Sequence, residues 1–281
     1  MRAEDPLTLA ATYLLSPRRR RAVQAMEGFR LFVADVIAAT PIADAETGAA
    51  VLAEFTAALV AWERRAGSEQ APSGPAGAPW LPAVSDTMSR AGIPASVFGD
   101  YLSARAVEIA TPAYPTWAAY GAALDDVAGP MAQMSVRFLD VDGPDYVTAA
   151  RLMLAASESA YRLRHTCEAR RNGRICFPLE VLAGEGVDVD TPDADPGWRA
   201  VVALCVEDSR RRHAAAHTAL TELVPRLARL AAVPLAVSDA WLDRIESRGF
   251  EVMDRPLEVG SAQTARAAIS HVLRGGAGAR W

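Results

Sequence analysis

Lysine is missing altogether from this 281-residue chain, and all 29 of its basic residues are arginine. That bias is more simply read as GC-rich coding than as function, although arginine alone offers a planar fork for anions. Cysteine is scarce as well. Cys167, Cys176 and Cys205 are odd in number and form no CxxC pair, which excludes a disulfide framework or a structural zinc site. Nor is there an excess of positive charge: 34 acidic residues give a formal net charge of -5, which argues against nucleic-acid binding. No stretch reaches the roughly 18 apolar residues of a bilayer span. The N-terminus, MRAEDPLTLAATYLLSPRRRR, lacks a signal-peptide cleavage site, so the expectation is a cytoplasmic protein with no integral membrane segment.

What is present points to helices. Hydrophobic residues make up 51% of the chain and charged residues 22%, enough apolar material for one sizeable core and a single domain over 1–281. Alternating β-branched runs are rare, and apolar positions recur at helical spacing. Ser16-Pro17 reads as a capping hydroxyl followed by proline in the first turn, opening a helix to about Ala39. A second helix fits Glu46 to Arg65. Gly67 to Pro82 is dense in glycine and proline and reads as a surface connection. Helices resume from about Val84 to Ala110, and Thr116 starts another that contains Gly129-Pro130, where proline should bend it. Pro144 to Arg171 is the longest uninterrupted helical pattern. An acidic loop covers 184–197, and helices fit Trp198 to Leu230, Ser238 to Arg248 and Ser261 to Leu273. Residues 275–281 form a flexible tail.

Four blocks, in order and spanning most of the chain, carry a resemblance. LLSPRRRRAVQAMEGFRLFVADVIA (Leu14 to Ala38) is similar to a helix opening on Leu-Leu-Pro and leading into a DxxxD motif. TWAAYGAALDDVAGPMAQM (Thr116 to Met134) matches a Trp-containing, glycine-bent helix. RLRHTCEARRNGRICFPLEVL (Arg162 to Leu182) resembles a second DxxxD followed by arginines and a "GRxYLP" turn. RIESRGFEVMDRPLEVGSAQTARAA (Arg244 to Ala268) resembles a C-terminal signature. Together they resemble the squalene/phytoene synthase family. The resemblance implies an all-α isoprenoid synthase-type helical bundle with a central cavity. It also implies a prenyl diphosphate substrate, and magnesium held by two acidic clusters so that the departing diphosphate is neutralised.

Both acidic clusters are broken here. The alignment puts Ala34 and Ala38 on the first pair of aspartates, and His165 and Ala169 on the second. An ordinary head-to-head squalene or phytoene synthase is therefore not expected. Magnesium remains a candidate cofactor resting on Asp35 and Glu158. A metal-free alternative is diphosphate binding by Arg30, Arg164, Arg171 and Arg174, since guanidinium binds phosphate oxygens bidentately. Glu158, Tyr161 or Arg162, His165, and Glu168 or Ala169 recur three or four apart and so share one face of the long helix. His165 reads either as a base or phosphate donor or as a polar residue on a partly wet face.

Asp125 and Asp126 replace expected pocket residues. At most one can face a cavity, because neighbours on a helix point about 100° apart. Asp126 is then a candidate proton acceptor, the alternative being an exposed acid pair. Phe29, Phe32, Trp117 and Tyr161 fit equally as core packing or as aromatic cavity lining that stabilises a carbocation. The reading that follows is transfer of a short isoprenoid, such as dimethylallyl, from its diphosphate to an aromatic or other small-molecule acceptor in specialised metabolism. The competing one is a non-catalytic prenyl-lipid-binding or scaffold paralogue.

Overall fold

The computed structural model describes residues 16–64, 81–141, 143–191, 195–223 and 225–259. Of the expected connection over 67–82, residues 67–80 lie outside them and Leu81-Pro82 instead open a helix; the helix over 261–273 and the tail at 275–281 also lie outside the described residues. Helix α1 (Pro17–Ala39) is capped by the Ser16 hydroxyl, which accepts from the Arg19 amide. A short 3-10 turn at Ile42–Asp44 leads into α2 (Ala45–Arg64), and α3 (Leu81–Ala91) and α4 (Ala95–Ala110) follow. The helices expected over Val84 to Ala110 are two, separated at Gly92-Ile93-Pro94. There the positive φ of Gly92 and the following proline end one helix and start the next.

The second half comprises α5 (Trp117–Leu139), α6 (Pro144–Arg164), α7 (Thr166–Arg171), α8 (Leu179–Gly184), α9 (Gly197–Thr221) and α10 (Pro225–Ser247). Thr116 caps α5 by accepting from the Ala119 amide, and α5 runs uninterrupted through Pro130. The long pattern from Pro144 to Arg171 breaks at His165, where φ −99° and ψ 17° leave the helical basin. Among the described residues there is no strand, only an isolated bridge between Tyr114 and Pro178. The fold is all-α.

The two largest of four apolar clusters among the described residues hold the two ends of the bundle. One joins α1 to α4 with one face of α5, through side chains such as Phe29, Phe55, Phe98, Leu102 and Met134. The other joins the end of α6 to α8, α9 and α10 around Trp198, Phe177, Val202 and Ile245. Helix α6 lies between them and packs most extensively against α9, then α5 and α10. By length and composition, Ile42–Arg64 is apolar enough to cross a membrane, which corrects the expectation that no segment reaches that length. Its Leu52, Phe55 and Leu59, at helical spacing, are buried in the first cluster, as in any amphipathic bundle helix.

Candidate functional site

Between the end of α1, the end of α4 and the α6–α7 break lies a cavity of about 60 Å³. All four positions aligned with the lost aspartates line it: Ala34 and Ala38 from α1, His165 at the break, and Ala169 from α7. Tyr161, Arg162, Glu168 and Arg174 line it too, as do Glu108 and Tyr114, which the sequence did not single out. The facing arrangement of the two motifs therefore persists while their carboxylates do not.

Gly173 takes φ +78°, and a Cβ there would fall 2.8 Å from Ile42 Cγ2, so the turn into the "GRICFP" segment needs glycine. That turn brings Arg174 to the end of α1, where Nη1 donates to the Thr40 carbonyl at 2.6 Å and Nη2 to that of Ile37 at 2.8 Å. Asn172 Nδ2 donates to the Ala38 carbonyl at 2.7 Å. These contacts satisfy carbonyls that a helix C-terminus leaves unpaired, and the cation complements the helix dipole. Arg174 lines the cavity with both terminal nitrogens already engaged, which corrects its expected role as a diphosphate donor.

A buried ion network forms part of the cavity wall and continues beside it. Glu158 accepts from Arg105 Nη1 and Nη2, each at 2.7 Å, and from Arg162 Nε at 3.2 Å. Glu108 accepts from Arg105 Nη1 at 2.6 Å, and Arg162 Nη1 donates to the Tyr114 hydroxyl at 2.9 Å. Burial alone would raise the Glu158 pKa. The charges and hydrogen bonds of Arg105 and Arg162 outweigh it and hold the carboxyl down at about 2. Burial raises the Tyr114 hydroxyl to about 12. With its oxygens committed to two guanidinium groups, Glu158 is a structural anion, which corrects its reading as a metal ligand.

His165 stacks on Tyr161, with ring centroids 4.3 Å apart. Burial, then the charges of Arg164 and Arg30, lower its pKa to about 4, so the ring is neutral at neutral pH. Its Nε2 is buried and makes no hydrogen bond. The same is true of Glu168 Oε2, which stands 4.0 Å from His165 Nδ1, and of Arg162 Nη2, which stands 3.7 Å from a Glu108 oxygen.

The other expected residues sit elsewhere. Asp125 and Asp126 are both exposed on α5, and Asp35 is exposed on α1, because each falls on the face opposite its helix's packed residues. None of the three lines the cavity. Arg30 is held by Glu27 at 2.8 and 3.0 Å and lies over the Tyr161 ring. Arg164 lies 4.7 Å over Trp241, and Arg171 is exposed. Phe29 packs on Phe98 and Tyr101, Phe32 on Phe55, and Trp117 on Tyr120, so these three serve packing and not this cavity.

The sequence profile of the squalene/phytoene synthase family matches residues 1–268. The chain belongs to that family. No curated protein matches it. Solved structures that share its fold include the following two. A dehydrosqualene synthase in complex with ligand has 15% sequence identity and a TM-score of 0.73, over 95% of this chain and 91% of that one. A squalene synthase, HpnC, from Alicyclobacillus acidocaldarius has 18% identity and a TM-score of 0.62, over 86% of this chain and 88% of that one. Family and fold together indicate a squalene/phytoene synthase-like protein of the isoprenoid, prenyl-transferring kind.

Magnesium requires several hard oxygen ligands in near-octahedral array. The four motif positions in this family member supply three methyl groups and an imidazole. No group of three or more His, Cys, Asp or Glu able to hold a metal occurs among the described residues. The residues present do not fit the family's magnesium cage.

Proposed function

We propose that this squalene/phytoene synthase-like protein transfers a short isoprenoid, of dimethylallyl type, from its diphosphate to a small-molecule acceptor, aromatic or otherwise, in cytoplasmic specialised metabolism. The observation that carries the reading is the neutral His165, with an unpaired Nε2 buried beside the cavity at a former metal-ligand position. Prenylation of an oxygen, nitrogen or aromatic carbon ends in loss of a proton. The acceptor atom forms its bond to the allylic carbon, the C–O bond to diphosphate breaks with its electron pair leaving on the diphosphate, and the acceptor's proton passes to His165 Nε2. An imidazole of low pKa suffices, because an arenium or oxonium proton is far more acidic than imidazolium. Alanines at 34, 38 and 169 leave a low wall on which an acceptor can lie.

A second reading is favoured by a different observation. A leaving diphosphate needs cationic neutralisation. Arg30, Arg105 and Arg174 are committed to internal partners, and Arg162, which lines this cavity, has an Nη2 without a hydrogen bond that stands 3.7 Å from a Glu108 oxygen. That scarcity suits a non-catalytic binder of prenyl lipids or a scaffold paralogue. Incubation with radiolabelled dimethylallyl diphosphate and a panel of phenols and indoles, with and without magnesium, separates the two. Labelled product that disappears in His165→Ala supports transfer. Binding of the labelled dimethylallyl diphosphate itself, with no diphosphate released from it and no labelled product in the presence of any acceptor, supports the second reading.

A further inference from the structure

Arg162 Nη2, His165 Nε2 and Glu168 Oε2 belong to side chains lining the same cavity, and all three atoms are buried without a hydrogen bond. Buried polar atoms are almost always paired, and an unpaired one costs about 1–3 kcal/mol. Three at one cavity describe a site shaped for something that supplies the missing partners. We propose that this cavity binds the head of a neutral ligand bearing a hydrogen-bond donor and a hydrogen-bond acceptor on adjacent groups, as in a primary amide or a phenol beside a carbonyl, and that it discriminates against anions.

The polarity of the three atoms carries this. Arg162 Nη2 can only donate and Glu168 Oε2, as a carboxylate oxygen, can only accept, while His165 Nε2 takes either role with its tautomer. A ligand satisfying both ends must therefore bring an acceptor for Arg162 and an O–H or N–H for Glu168. A diphosphate brings acceptors only and would face Glu168 with like charge.

The cavity wall holds two guanidinium groups, Arg162 and Arg174, against two carboxylates, Glu108 and Glu168. The terminal nitrogens of Arg174 are engaged with the Thr40 and Ile37 carbonyls. The wall thus has no surplus positive charge for a multiply charged anion, whereas a neutral group leaves its balance intact. Size agrees: about 60 Å³ is room for on the order of four waters, enough for a polar head but not for a prenyl chain. The ligand's remaining body would extend past the methyl groups of Ala34, Ala38 and Ala169.

The inference deepens the transferase reading by naming the head of its acceptor, and it is tested without a prenyl donor so that the two fail separately. Salicylamide and inorganic pyrophosphate are titrated calorimetrically into the full-length protein at pH 7.5, wild type and Glu168→Gln. Glu168 sits at the half-exposed rim, so its amide variant keeps the fold, which thermal unfolding checks. The wild type is expected to bind salicylamide at least about tenfold more tightly than pyrophosphate. Glu168→Gln should weaken salicylamide by about fivefold or more and strengthen pyrophosphate, since it removes the repelling charge. Tighter binding of pyrophosphate to the wild type, no salicylamide binding, or salicylamide binding unchanged in Glu168→Gln each overturns the proposal. Prenyl transfer observed alongside any of these leaves the transferase reading standing. Salicylamide binding without transfer does the reverse.

Discussion

Replacing Glu158 by glutamine keeps the side chain's shape and removes its charge. Its carboxylate accepts three hydrogen bonds from two guanidinium groups, and Arg105 and Arg162 are only 5% and 3% exposed. Glutamine offers one acceptor oxygen and turns an N–H₂ toward a guanidinium that can only donate. Arg105 retains Glu108 at 2.6 Å, but Arg162 is left with a carboxylate no closer than 3.7 Å. Breaking a buried ion pair by removing one partner costs about 3–5 kcal/mol. That is a large share of the roughly 5–15 kcal/mol that holds a domain folded. With an m-value of about 3 kcal/mol/M, the urea midpoint of Glu158→Gln should fall by about 1 M or more at unchanged slope. The double variant Glu158→Leu with Arg105→Leu should recover much of the loss, because it removes one of the stranded cations and fills the space with apolar groups. A midpoint for Glu158→Gln within about 0.2 M of wild type would refute the claim that this carboxylate is a structural counter-ion.

Three further outcomes are expected. The imidazole of His165, followed by NMR, should titrate near pH 4, and because that lies below the ordinary 6.5 its contribution to stability is complete above pH 6.5 and declines as the pH falls toward 4; a midpoint above 6 would contradict the buried, arginine-flanked environment. Arg174→Ala should cost about 1–3 kcal/mol in denaturant unfolding by uncovering two carbonyls at the end of α1, with Arg174→Lys recovering only part, since an ammonium lacks the fork that spans both. Asp35→Asn and Asp126→Asn, both at exposed positions, should change stability by no more than about 0.5 kcal/mol, and magnesium alone should leave the melting temperature of wild type and both variants unaltered.

Much of the fold was legible because its signals are local. Ser16 caps the helix it was read to cap, α5 begins one residue after the expected start at Thr116, and α2 begins within one residue of the expected start at Glu46. The break at His165 was not legible, since nothing in the composition of that stretch opposes a helix. The site divides in the same way. The order of the motif blocks located the cavity, and the substitutions at 34, 38, 165 and 169 could be read directly as loss of the magnesium carboxylates.

Which charges are available could not be read from spacing. Asp125 and Asp126 face solvent because Leu124, Val127 and Ala128 occupy the packed face of α5. Arg30 and Glu158 meet partners that remove them from chemistry, and the second of those partners, Arg105, is 53 residues away. Helical periodicity, capping and motif order are properties of neighbours along the chain, so the sequence by itself determined the all-α bundle, its family and the disappearance of the acids. The pairing of each buried arginine depends on which helix packs against it, because a charge removed from water must find its counter-ion across the core. Only the tertiary structure decided that most of these arginines were already partnered, and that Arg162, His165 and Glu168, each with a buried atom lacking a hydrogen bond, line one cavity.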